Sequence, residues 1–205
     1  MRTKYALVLG LGLTLAATGM VFCADEDAPS PAEPDVKKLA DQAGKKDWAA
    51  LSKEGAAIAK KLEAEKNELT QVMQVFRKRM KDNGVQGIGV GDKPGSIKPD
   101  GIEAKIINMS LRVTQGDLKH AKDLARMADV SAAVAAIATH MPNDKAKKSK
   151  DDIKNWQEYS KEMHDASVNL AKVLRDKAAK PAGVKAAVKK LQDSCTTCHS
   201  DYRPQ

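Results

Sequence analysis

Aromatic residues make up only 3% of this 205-residue chain: two tryptophans, three tyrosines and two phenylalanines. Sheets are built largely from β-branched and aromatic runs. Such runs are missing here, and alanine and lysine, both good helix formers, take their place. Cysteine is scarce as well, with Cys23, Cys195 and Cys198 the full complement. Three cysteines exclude a disulfide framework. A bridge between Cys195 and Cys198 would close a loop so small that it constrains little of the unfolded chain, so stability is not what that pair supplies. No arrangement of nucleophile, base and acid stands out either, and an enzyme is not expected. The chain is long enough for one ordinary domain with a real core, and that domain reads as all-α.

The N-terminus carries its own message. Arg2 and Lys4 precede an apolar run from Tyr5 to Val21, and "ADEDAPSPAEPD" follows. A basic start, a short apolar stretch and a polar break form an export signal. Gly10, Gly12, Thr14, Thr18 and Gly19 interrupt the run, which would make it a poor membrane span. Cleavage is expected near Cys23 or Ala24, giving a signal peptide over 1–24 and a periplasmic protein. Lipid attachment at Cys23 is disfavoured because bulky Phe22 stands where a small residue is needed. Residues 25–34, with four acids and three prolines, read as a disordered leader. The formal charge of the whole chain is +8, and loss of Arg2 and Lys4 leaves it basic.

From Val36 a helical pattern begins, softened at Gly44. Leu51, Ile58, Leu62, Leu69, Met73, Phe76 and Met80 then recur at helical steps, predicting one face of a helix that ends near Asn83-Gly84. The glycine-rich stretch 84–101 cannot continue it. Gly87, Gly89 and Gly91 lack the preceding strand and following helix of a phosphate-binding loop, so a surface loop is expected. Asp100 is placed to cap a second long helix lined by Ile102, Ile106, Met109, Val113, His120, Leu124, Met127, Val134 and Ile137, with a kink near Gly116. Ile153, Trp156, Tyr159, Met163, Leu170 and Val173 mark a third. A fourth, from about Ala182, carries Val184, Val188, Leu191, Cys195, Cys198 and Tyr202 on one stripe. Four amphipathic helices predict a four-helix bundle over 35–205. "WAALSKE" at Trp48 echoes "WQEYSKE" at Trp156, too briefly to indicate duplication.

The chemistry concentrates at the end of that fourth helix, in "SCTTCHSDYR", residues 194–203. Cys195 and Cys198 are i and i+3, and His199 is i+4 from the first, so all three project to one side. C-x-x-C-H is the attachment sequence of c-type haem, in which both thiols bond the haem vinyl groups and the histidine becomes the proximal iron ligand. A zinc site would need two further ligands, and beyond the cluster only His120, His140 and His164 could assist. A thioredoxin-like pair would need a βαβ setting. One covalent haem c, with its iron, is the expected cofactor.

A C-x-x-C-H on the last helix of an exported four-helix bundle resembles the cytochrome c prime family, the class II c-type cytochromes. "CTTCHSDYR" also follows that family's continuation, two residues, an aromatic and an arginine, on which Tyr202 and Arg203 fall. The resemblance implies that Arg203 lies near the haem on its proximal side. It also implies a distal residue on the first long helix, and "VMQVFRKRMK" offers Met73 as the candidate sixth ligand, with Met80 two turns on. His120 is its competitor.

The function expected is single-electron transfer by a six-coordinate haem. The alternative is a five-coordinate haem that binds nitric oxide or carbon monoxide. The partners expected are redox proteins rather than nucleic acid, with a homodimer implied by the family. Lys145, Lys147, Lys148, Lys150 and Lys154, together with Lys185, Lys189 and Lys190, would steer an acidic partner.

Overall fold

The computed structural model describes residues 29–79 and 87–203. The signal peptide, Cys23, the first part of the leader, Met80 and the Asn83-Gly84 helix end lie outside the described residues. Among the described residues no strand occurs and there are eight α-helices: α1 (Glu33–Ala43), α2 (Trp48–Ala64), α3 (Leu69–Met73), α4 (Ile102–Leu111), α5 (Gln115–Leu118), α6 (Ala121–Ala138), α7 (Lys150–Arg175) and α8 (Pro181–Tyr202). The chain is an all-α helical bundle. No described helix is long and apolar enough to cross a membrane.

The centre of the bundle is α6. From Leu124 to Ala138 only Arg126 escapes burial. A helix apolar all round has no face to give to water and must be surrounded. Helices α1, α2 and α7 surround it, while α8 packs against α7 and α4 against α8. Small side chains let the neighbours come close: a Cβ built on Gly55 of α2 would stand 2.1 Å from the Ala136 carbonyl oxygen. The one buried acid on this helix is Asp129, and the Arg175 guanidinium of α7 donates to it. Burial raises the Asp129 pKa, and Arg175 opposes that push.

Two long helices expected from periodicity are each broken. The first stops at Ala64. Lys66 adopts φ 61°, with Asn67 N–H bonded to the Leu62 carbonyl at 2.8 Å and Lys66 N–H to Glu63 at 2.9 Å. This is a left-handed C-terminal closure of the kind glycine usually provides; lysine gave no warning of it. The helix carrying Met73 is therefore the short α3, continued by a 3-10 turn over Gln74–Phe76. The second expected helix splits into α4, α5 and α6. Arg112 turns extended, and Thr114 and Asp117 then form a capping box that starts α5. The break is thus at 112–114 and again at 119–120, rather than a kink at Gly116. His120 ends up exposed at the start of α6 instead of inward.

Asp100 does not cap α4 either; Gly101 holds that position. Asp100 is buried and accepts from Arg79 Nε at 3.0 Å and Nη2 at 2.5 Å. The same guanidinium donates to the carbonyls of Val90 and Gly91, both at 3.1 Å. The glycine-rich stretch is therefore wrapped around Arg79. Gly89, at φ +72°, allows it, because a Cβ there would meet Arg79 Nε at 2.0 Å. A second buried cation, Lys105 of α4, donates to Asp117 at 2.8 Å. Burial alone would raise Asp117, but bonds from Lys105 and Thr114 outweigh it and bring the pKa down to about 2.

Helix α1 starts at Glu33, and Ser30 and Ala32 are already buried. Residues 29–34 are thus packed structure, not the end of a loose leader. Ser30 Oγ donates to the Gln71 carbonyl, tying this segment to α3. The third and fourth helices fall where the sequence puts them. Ser149 caps α7, accepting from Asp152 N–H at 3.0 Å, and Pro181 sits in the first turn of α8.

The contact at Gly55 generates a test. Gly55→Ala forces a methyl into the Ala136 backbone and should cost about 3 kcal/mol, the upper part of the usual range for overpacking. The measurement is a lower urea midpoint with an unchanged slope. An unshifted midpoint would mean that α2 and α6 are not held at backbone contact.

Candidate functional site

Three chain segments meet at one end of the bundle and fix the last turns of α8. The Trp156 indole N–H donates to the Ala138 carbonyl at the end of α6, at 2.7 Å. The Tyr202 hydroxyl donates to the Asp152 carbonyl in the first turn of α7, at 3.0 Å. Asn143, between α6 and α7, donates its amide to the Tyr202 carbonyl at 2.7 Å and accepts from Ala146 N–H at 2.9 Å. A carbonyl of the last helical turn has no intrahelical partner, and Asn143 supplies one. Nothing in the sequence marked Asn143 for this, since its partners are backbone atoms brought near only by folding.

On that fixed turn the structure places Cys195, Cys198 and His199 together on one helix. At about 100° per residue, the three fall within a common arc. Cys195 is partly buried against the main core. Cys198 faces the separate cluster of Ala146, Trp156 and Tyr202. His199 lies at the exposed edge of the arc, and Arg203, at the helix C-cap, is exposed too. Met73 is on another element. It is partly buried against the main core on α3, where Val72 takes the fully buried position, as Val75 does in the 3-10 turn that follows. Two clefts on the surface, of about 380 and 800 Å³, are lined by none of these residues.

Both cysteines are free thiols. Burial pushes Cys195 up to about 11, and the nearby Glu103 carboxylate at the start of α4 adds to the rise. Burial likewise pushes Cys198 up to about 11, with the charges of Cys195 and Asp201 contributing. Thiols held neutral are poor nucleophiles and poor metal ligands, which argues against a dithiol redox pair or a thiolate metal site. Among the described residues, no three His, Cys, Asp or Glu side chains gather to hold a metal ion. The donor set fits a haem better. It offers two neutral thiols one turn apart and an exposed imidazole beside them, while the apolar surroundings of the thiols suit a porphyrin edge.

Residues 105–203 match the family model described as Cytochrome C'. The matched segment begins within α4 and ends at Arg203, so it contains the whole cluster and leaves Met73 outside. No curated protein matches, and no solved structure matches.

The raised thiol pKa values give a measurable consequence. A thiol near 11 instead of the ordinary 9.0 carries about 100-fold less thiolate at pH 8. In the folded, haem-free chain, alkylation of Cys195 and Cys198 by iodoacetamide should be slower than in urea by about that factor. Equal rates in the two states would show that the thiols are not shielded.

Proposed function

The chain belongs to the cytochrome c′ family, and from that premise we propose that it is an exported monohaem c-type cytochrome that transfers single electrons. The observation that carries the reading is the pairing of two free, neutral thiols with an exposed imidazole on the last turns of α8. Cys195 and Cys198 hold the haem through thioether bonds, and His199 is the proximal iron ligand. When bound, the haem supplies one-electron chemistry whose potential depends on axial ligands and burial. The chain's part is to fix the clamp: Asn143, Trp156 and Tyr202 lock the turn on which all three side chains sit.

Charge at this end supports a redox role. Lys145, Lys147, Lys148, Lys150 and Lys154 are exposed around the start of α7, which bonds to the last turn of α8. They form the docking face for an acidic redox protein, and such steering weakens with salt. Lys185, Lys189 and Lys190 lie in the first half of α8, where Lys189 pairs with Asp193, and belong less to that face. Export rests on residues 1–24, and a homodimer on the family.

The sixth position separates electron transfer from gas binding. Met73 stays the candidate distal ligand, and an open site that binds nitric oxide or carbon monoxide is the alternative.

Two measurements test the reading. Matured protein should retain its haem through acid–acetone extraction. Cys195→Ala or Cys198→Ala should each leave one thioether, and a change at His199 should remove proximal ligation. Haem that extracts freely from the wild type overturns the proposal. For the sixth ligand, ferric wild type should show the near-infrared sulfur-to-iron band, and Met73→Ala should lose it and take up carbon monoxide. A wild type without that band, already binding carbon monoxide, moves the function to gas binding.

A further inference from the structure

Both tyrosines that follow residue 24, and one of the two tryptophans, stand at a single place in this aromatic-poor chain. Cys198 and Tyr159 pack on the cluster formed by Ala146, Trp156 and Tyr202. The Trp156 and Tyr202 rings meet edge-on with centroids 5.4 Å apart, and Tyr159 and Tyr202 are tilted with centroids 6.0 Å apart. Buried Tyr202 thus connects the thiol of Cys198 with partly exposed Tyr159 through rings in contact. Filling space does not require this, for the main core is built almost wholly from alanine, leucine, valine, isoleucine and methionine.

The three rings differ in what receives their hydrogen. Trp156 donates to a backbone carbonyl, that of Ala138. Tyr202 also donates to a carbonyl, that of Asp152. A carbonyl accepts a hydrogen bond but is too weak a base to take the proton. Tyr159 alone donates to a carboxylate, Asp201 Oδ2, at 2.7 Å. An aromatic side chain that has lost an electron becomes strongly acidic. Of the three, only Tyr159 can therefore complete a one-electron oxidation by handing its proton to a side chain in direct contact. The same bond secures the phenol in the resting protein, pushing Tyr159 up to about 12.

We propose that Tyr159 is a redox-active tyrosine, a one-electron, one-proton donor that discharges a strong oxidant at the Cys198 end of the cluster. In the step the Tyr159 O–H bond breaks. The electron passes by way of the Tyr202 ring to a high-potential one-electron acceptor, a metal complex that is thereby reduced by one. The proton moves to Asp201, leaving a neutral phenoxyl radical beside a protonated carboxyl group. A one-electron reductant at the surface restores the phenol when Asp201 returns the proton. The effect is to carry an oxidising equivalent away from the clamp to the surface. Only the identity of what sits at the inner end rests on the haem reading; the ring chemistry belongs to this chain's own residues.

The test uses the full, matured, haem-loaded protein, oxidised by photogenerated ruthenium(III) tris-bipyridine and frozen for EPR. A tyrosyl signal is expected, and Tyr159→Phe should abolish it. Asp201→Asn should slow its formation by about 100-fold, the lower end of what a positioned proton acceptor contributes, and should remove the solvent deuterium effect. In ferrous protein the radical's decay should track the bleaching of the reduced haem band, and Tyr202→Leu should uncouple the two. Because Tyr159 and Asp201 are not in the core, the first two variants test the chemistry without testing the fold. A signal that survives Tyr159→Phe, or that forms at the wild-type rate in Asp201→Asn, overturns the proposal. Haem content is measured on each sample. A chain that carries no covalent haem yet forms the Tyr159 radical overturns the cytochrome reading and leaves this one standing.

Discussion

The backbone approach between α6 and its neighbours is the constraint on which the rest of the molecule depends. Within its buried stretch, Leu124–Ala138, α6 exposes almost nothing, and its side chains around residues 132–138 are mostly alanine. Alanine fills little volume, so the helices that cover it must come close enough to pack at the density of a protein interior. Gly55 is the consequence on α2, since nothing larger than hydrogen fits beside the Ala136 carbonyl. On the other side α7 runs against the same helix and supplies Arg175 to its one buried acid. With α6 and α7 locked, the end of α6 and the start of α7 form a fixed floor for the last turns of α8.

That floor orders the last turns of α8, on which Cys195, Cys198 and His199 stand. Three hydrogen bonds do the holding: Trp156 to Ala138, Tyr202 to Asp152, and Asn143 to Tyr202. Two of the three use aromatic side chains with polar tips, which bury a large apolar body and still satisfy their own donors. In a chain with so few aromatics, this placement concentrates both packing and polar anchoring beside Cys198. The thiols are kept neutral by the same burial that orders the turn.

Farther along, two buried cations organise segments that lack regular structure. Arg79 gathers the carbonyls of the glycine-rich stretch and the Asp100 carboxylate, and Lys105 gathers Asp117 and the Lys98 carbonyl. A buried charge is tolerable only when it is paired and hydrogen-bonded, and each of these has a carboxylate partner and a backbone carbonyl acceptor. Together they hold the start of α4, whose Glu103 neighbours Cys195, and so couple the loop to the clamp region.

By itself the sequence determined the helical class, the third and fourth helices and the grouping of Cys195, Cys198 and His199 on one arc of the fourth. Each of these is written in local order: helical periodicity with Ser149 and Pro181 at the starts, and C-x-x-C-H whose spacing alone puts three side chains on one arc. The same is true of the resemblance that the family match upholds. What escaped the sequence was decided by contacts between distant residues. Lys66 closes α2 in a conformation that lysine seldom adopts, so no glycine announced the break that removed Met73 from a long helix. Asp100 looked like a cap because caps are local, but a buried guanidinium 21 residues away competes for its carboxylate and wins. His120 shared a periodic stripe that the Thr114–Asp117 capping box interrupts, and it turned outward. The pairing of Tyr159 with Asp201 spans 42 residues and two helices, a distance over which periodicity carries no information and only packing can decide.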